Sequence, residues 1–139
     1  MFFSTLKKGY SLMEIVIVIA IIGILVGVVG PNIFSYLNKS KYSATEQTLR
    51  VTKQAIISYY TDAHIYPQTL QDLQRRPQDV QKWFGPYFEG RDEDYIPQDN
   101  WGSDLYYRLL DPRSSKPYEL YSYGPNGEAG DDNERVYAS

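Results

Sequence analysis

From Ile15 to Asn38 the chain runs for 24 residues without a charged side chain, and Ile15–Val29 is almost entirely Ile, Val, Leu and Gly. As a helix such a stretch is long enough to span a hydrocarbon core of about 30 Å. A buried core helix is the alternative, but a helix in a chain of 139 residues needs a polar face, and this segment has none. The expected element is a membrane-spanning helix. Lys7 and Lys8 lie just before it, and the positive-inside rule keeps them in the cytoplasm, with residues beyond 38 on the other side. A secretory signal peptide would end in a small-residue cleavage site. Here Gly30-Pro31-Asn32-Ile33-Phe34 leads into another apolar helix pattern, so the run is expected to stay in the mature protein.

The remaining composition narrows the function classes. A hydrophobic share of 42% over 139 residues supports one small domain. Fourteen Lys and Arg against 17 Asp and Glu give a formal charge of −3, which argues against a dedicated nucleic-acid binder. Cysteine is absent, which excludes disulfides, thiolate zinc sites and cysteine nucleophiles. Any Ser-His-Asp relay would have to use His64, the single histidine.

Glu14 stands directly before the apolar run. A carboxylate near hydrocarbon costs a few kcal/mol unless it is paired, which makes it a functional candidate. The bland alternative sets it at headgroup level, where it costs little.

The segment Lys7-Lys8-Gly9-Tyr10-Ser11-Leu12-Met13-Glu14, followed by the apolar run, resembles the class III signal of type IV pilins and type II secretion pseudopilins. The resemblance implies a basic leader cut after Gly9 by a prepilin peptidase on the cytoplasmic face, and N-methylation of Tyr10. Tyr10 replaces the family's usual Phe and keeps an aromatic ring. The resemblance also implies that Glu14 pairs with the N-terminal amine of a neighbouring subunit in a filament. Removing one partner of a buried pair leaves an uncompensated charge, so such a pair would set register between subunits. Gly23 and Pro31 fall where pilin-like helices often carry their glycine and helix-breaking proline. The implied segments are a leader at 1–9, a hydrophobic transmembrane and assembly helix at 10–38, and a periplasmic head at 39–139. Losing the leader would take away two lysines and lower the formal charge from −3 to −5. Arg75-Arg76 is read as a solvated surface pair.

Beyond Pro31, which is expected to break or kink the helix locally, Ile33, Leu37, Ala44, Val51, Ala55, Tyr59 and Ala63 recur at roughly helical spacing. The helix should end near Asp62–Tyr66, because Pro67 biases the preceding residue away from helical angles. Residues 66–100 read as loops with short helical turns, one of them at Thr69–Leu73 with Leu70 and Leu73 inward. Trp83, Phe84, Tyr87 and Phe88 are expected to be core or cover residues; a carbohydrate-stacking platform is the alternative. Asp104–Leu110, Pro117–Tyr123 and Glu134–Tyr137 suit an antiparallel sheet of about three strands, with Asp111–Ser115 as the first hairpin loop. A long helix packed on a small antiparallel sheet is an α+β, type IV pilin-like architecture.

Tyr66-Pro67, Asp99-Asn100-Trp101-Gly102 and the stretch Leu120–Glu128 (LYSYGPNGE) resemble the major pseudopilins of type II secretion. That likeness implies a structural calcium ion in the C-terminal loop, at Asn126, Asp131 and Asp132. Calcium takes six to eight oxygen ligands. Asn126 replaces the usual Asp, and the loop is about two residues short before the paired aspartates; Glu128, Asn133 or Glu134 are available to complete the set. An ordinary acidic turn is the alternative.

The resemblance implies a structural subunit rather than an enzyme. It would polymerise through its N-terminal helix into a short periplasmic pseudopilus that drives folded exoproteins through an outer-membrane secretin, with a cytoplasmic ATPase as the energy source. Implied partners are further copies of the chain, minor pseudopilins, an inner-membrane assembly platform and the prepilin peptidase. A pilin-like subunit of a surface or competence pilus is the alternative. A glycosidase built on two carboxylates is the rival from another class.

Overall fold

Helix α1 spans Leu12–Ala63, 52 residues in one unbroken element. The computed structural model describes residues 9–139. Lys7 and Lys8 lie outside the described residues. Ser11 starts the helix: its carbonyl accepts from the Ile15 N–H at 3.2 Å and its hydroxyl from the Glu14 N–H at 3.2 Å. The expected break at Pro31 is not present, since helical structure continues on both sides of it. A proline interrupts the helical hydrogen-bond ladder at one donor only, and the flanking apolar run has a strong reason to keep its own bonds closed. His64 terminates α1. It adopts φ 60°, the left-handed conformation of a helix C-terminus, and its N–H closes on the Tyr60 carbonyl at 2.8 Å.

The chain divides into two units, one ending at Asn38 and one running Lys39–Ser139. In the first, α1 exposes Leu12, Ile15, Ile19, Ile24, Val28, Phe34 and Leu37 among other apolar side chains. In the second, α1 buries Thr45, Leu49, Thr52, Ala55, Ile56 and Tyr59. This stripe differs from the expected one, because Ala44 and Val51 face solvent. Two threonines take the inward positions. Thr52 satisfies its hydroxyl on the Thr48 carbonyl at 2.8 Å. Thr45 Oγ1 accepts the Asn100 N–H at 3.1 Å.

Against this stripe packs a single core that includes Leu70, Leu73, Val80, Phe88, Leu105 and Leu120. The turn at Leu70–Leu73 forms as expected, a 3-10 helix with both leucines buried. Asp72 closes it by accepting the N–H groups of Gln68 and Thr69 at 2.8 and 3.0 Å. The middle segment is tethered by aromatic polar tips. Trp83 Nε1 donates to the Asp72 carbonyl at 2.9 Å, Tyr87 Oη to Asp62 Oδ2 at 2.8 Å, and Tyr107 Oη to the Pro67 carbonyl at 2.7 Å. Trp83, Tyr87 and Phe88 therefore serve burial, whereas Phe84 does not: it is 75% exposed.

The sheet has two antiparallel strands, β1 at Tyr106–Leu109 and β2 at Tyr118–Tyr121, with Tyr106 opposite Tyr121 and Leu109 opposite Tyr118. The expected third strand at Glu134–Tyr137 shrinks to one bridge, Ser122 with Val136, closed by two 2.9 Å bonds. Pairing cannot extend toward the turn because Asp132–Glu134 form a 3-10 helix, and on the other side Gly124 turns the chain with φ 83°.

Asp99 joins these parts. Its carboxylate is 6% exposed and accepts the Trp101 and Ser103 N–H groups at 3.0 and 2.9 Å and the Ser122 hydroxyl at 2.6 Å. Replacing Asp99 with Ala strands one buried donor, the Ser122 hydroxyl, and two part-buried N–H groups, and should cost about 2 kcal/mol or more, read as a lowered midpoint in chemical denaturation.

Burial pushes the Tyr87 phenol up to about 12, helped by its hydrogen bond to Asp62, and burial followed by contact with Tyr123 does the same for Tyr121. Tyr59, Tyr107 and Tyr118 also shift up, burial being the main cause. The folded state thus holds these protons more tightly than the unfolded chain, where tyrosine titrates near ~10. Their contribution is complete below that value and is lost as pH rises toward about 12. Melting temperature should hold until roughly pH 10 and then fall together with the rise of phenolate absorbance. Tyr87→Phe should remove part of the fall.

Candidate functional site

The segment singled out for processing and assembly lies at the start of α1. Gly9 and Tyr10 precede the helix in irregular structure and both are exposed. The 9–10 peptide bond thus lies outside the helix and is exposed on both sides. Glu14 occupies the first turn of α1. Ser11-Leu12-Met13-Glu14 has the Ser-x-x-Glu pattern of a helix start, and the partial positive charge of a helix amino terminus favours a carboxylate there. The local structure therefore fixes Glu14 at the head of an apolar helix, exposed to its surroundings. Among the described residues no ion pair involves it. Pro31 lies further along the same helix.

Among the described residues of this unit, nothing covers the apolar side chains of α1. Leu12 is 83% exposed, and Ile19, Ile24, Val28 and Phe34 are likewise exposed. α1 is long and apolar enough to cross a membrane. An exposed apolar helix of this kind demands either lipid or other apolar helices around it.

The carboxy-terminal loop holds the three residues that the resemblance assigns to calcium. Asn126, Asp131 and Asp132 enter three separate contacts. Asn126 Nδ2 donates to both carboxylate oxygens of Glu134, at 3.0 and 2.9 Å. Asp131 uses its carbonyl to accept the Glu134 N–H at 2.9 Å. Asp132 Oδ1 is 2.6 Å from the Arg135 guanidinium. Among the described residues no three Asp, Glu or His side chains are grouped to hold a metal ion. Calcium needs six to eight oxygens converging on one point. With the Asp132 carboxylate paired to Arg135 and the Asn126 amide nitrogen bonded to Glu134, this donor set does not fit a calcium ion as it is arranged.

Arg135 is not among the residues singled out from the sequence, whereas Asp99 and Ser122 lie in stretches that carry the resemblance without a role assigned to either. Arg135 carried a faint signal, as the one basic residue after four acids between Glu128 and Glu134. Asp99-Asn100-Trp101-Gly102 carried a stronger one, since Asp followed by a glycine three residues on favours a turn closed by the carboxylate.

The model for type II secretion system protein G matches residues 32–137, and the model for the prokaryotic N-terminal methylation motif matches residues 5–30. The chain is 34% identical over 130 residues to type II secretion system core protein G of Klebsiella pneumoniae, covering 91% of each chain. It is 32% identical over 134 residues to the Pseudomonas aeruginosa protein of the same name, covering 92% of this chain and 91% of that one. The fold is similar to the crystal structure of the major pseudopilin from the type 2 secretion system of enterohaemorrhagic Escherichia coli. That match has a TM-score of 0.51 at 25% identity, over 73% of this chain and 85% of the other. A family match over most of the chain, joined to an N-terminal methylation motif that ends in an exposed apolar helix, places this protein in the type II secretion system protein G family.

Proposed function

We propose that this chain is the major structural subunit of a type II secretion pseudopilus, made as a precursor in the inner membrane and polymerised through α1. The observation that carries the reading is the uncovered apolar length of α1, which begins immediately after a reachable Gly9–Tyr10 bond and carries one carboxylate, Glu14, at its head. In the membrane, lipid covers that length; in a filament, the α1 helices of other copies take over. Residues 1–9 act as the leader, residues 10–38 as the membrane and assembly helix, and residues 39–139 as a head on the periplasmic side.

Cutting after Gly9 does two things at once. It removes Lys7 and Lys8, the charges that hold the N-terminus in the cytoplasm, and it creates an amine on Tyr10. That amine, methylated, is a cation four residues before Glu14. In a low-dielectric bundle of helices each charge requires the other, so a neighbour's amine and this Glu14 are brought together in one register. The head then follows at a fixed step along the filament. Minor pseudopilins, an assembly platform in the inner membrane and a prepilin peptidase are the partners this scheme needs. The subunit does mechanical rather than catalytic work, with the energy supplied from the cytoplasmic side.

Glu14→Ala should leave membrane insertion and leader cleavage intact while reducing cross-linked filament ladders by about tenfold or more, since one pairing partner costs roughly 3–5 kcal/mol when removed alone. Filaments at the normal level would overturn the assembly role. A bulky residue at position 9, as in Gly9→Val, should leave the uncut precursor as a slower-migrating band. Deletion of the gene should trap exoproteins in the periplasm and leave surface pili and DNA uptake unchanged. Normal secretion with lost pili would assign the chain to a pilus instead.

A further inference from the structure

The loop from Gly124 to Val136 carries Glu128, Asp131, Asp132 and Glu134 within a few residues of one another. Four carboxylates at such spacing repel, so a loop that holds one conformation needs a compensating charge or an equivalent set of donors. Both are present within the chain. The Arg135 guanidinium lies 2.6 Å from Asp132 Oδ1 and 4.7 Å above the ring of Tyr121. Tyr121 is a buried residue of β2. One cation therefore touches the acidic turn on one side and the sheet on the other. Glu134 is satisfied separately, by the Asn126 amide. A side chain at Gly124 would run into the Glu134 carbonyl, and one at Gly130 into the Glu134 carboxylate, so the backbone closes tightly around that residue. The ends of the loop are joined by the Ser122–Val136 bridge.

We infer that Arg135 is the internal cation of this loop, clamping the acidic turn through Asp132 onto Tyr121 of the sheet, and that the loop closes without a bound divalent ion. A calcium ion at Asp132 would have to displace the guanidinium or lie a few ångströms from it, against like-charge repulsion. Arginine suits the task better than lysine, because a planar guanidinium can hold a carboxylate at its edge while its face covers an aromatic ring. The inference is independent of the filament reading, because it is tested on the unassembled subunit.

The test uses the full chain in detergent micelles, melted with calcium at about 5 mM and with a chelator, a concentration above the dissociation constants of extracellular calcium modules. The two melting temperatures should agree within about 1 °C, whereas a site saturated a hundredfold would separate them by about 10 °C or more. Hydrogen exchange across residues 124–136 should likewise be the same with calcium and with chelator. Arg135→Met, which keeps the stem and loses the charge, should speed exchange in 124–136 by about tenfold or more while amides around Leu49 and Ile56 keep their protection. Arg135→Lys should recover part of that protection. A calcium-dependent rise of several degrees in the unmodified chain overturns the inference, and so does unchanged loop exchange in Arg135→Met. If the Met variant does not fold, the calcium comparison on the unmodified chain decides alone.

Discussion

The buried carboxylate of Asp99 is the constraint on which the head depends. A two-stranded sheet with four residues in each strand is too small to stand by itself. Leu105 and Leu120 pack it into the core beneath α1, and a chain of polar contacts through Asp99 and Asn100 adds to that packing. Ser122, at the end of β2, donates to Asp99, and Ser122 also pairs by its backbone with Val136. The next residue, Asn100, donates to Thr45 of α1. Helix, sheet and carboxy-terminal segment thus meet within two residues of the 97–105 loop. In a low-dielectric interior such a network is valuable when every member is satisfied and costly when one is lost.

The apolar half of this protein was legible because hydropathy over 24 uncharged residues is a signal that tertiary context cannot easily override. The turn at Leu70–Leu73, the two main strands and the end of α1 were legible for related reasons, being marked by leucine spacing, tyrosine-rich runs and Pro67. The errors share a cause as well. The inward stripe of α1 was expected on Ala44 and Val51, whereas Thr45 and Thr52 took those places, because an apolar alphabet cannot see a threonine that satisfies its hydroxyl within the helix or with a loop. Phe84 was expected to be covered on hydrophobicity alone, and nothing in the local pattern distinguishes it from Trp83 or Phe88. The third strand was expected from Val136 and Tyr137, but a turn through Glu134 consumes the residues that a ladder would need. The loop contacts of Asn126 and Asp132 were not legible, since side-chain partners eight and three residues away depend on the backbone path between them.

Without cysteine, the head relies on aromatic residues that are apolar over most of their surface and polar at one tip. Trp83, Tyr87 and Tyr107 each bury a ring and spend that tip on a carbonyl or carboxylate elsewhere in the chain. Each of these contacts joins a loop to another segment, which is the task disulfides perform in many small domains. The arrangement leaves the head with no dependence on oxidising enzymes, though its tethers can be undone one at a time by deprotonation or truncation.

The threonines on the inner face of α1 have a mechanical consequence. A purely aliphatic face tolerates axial slip, since one leucine can replace another in a groove. The Thr45 hydroxyl cannot be exchanged in this way: moving α1 by one turn, about 5.4 Å, would carry it away from the Asn100 amide and leave both groups stranded. The Thr45–Asn100 bond thus adds a directional contact to the close packing of Leu49, Ile56 and Tyr59, and the axial position of this part of α1 is set by shape and by hydrogen bonding together.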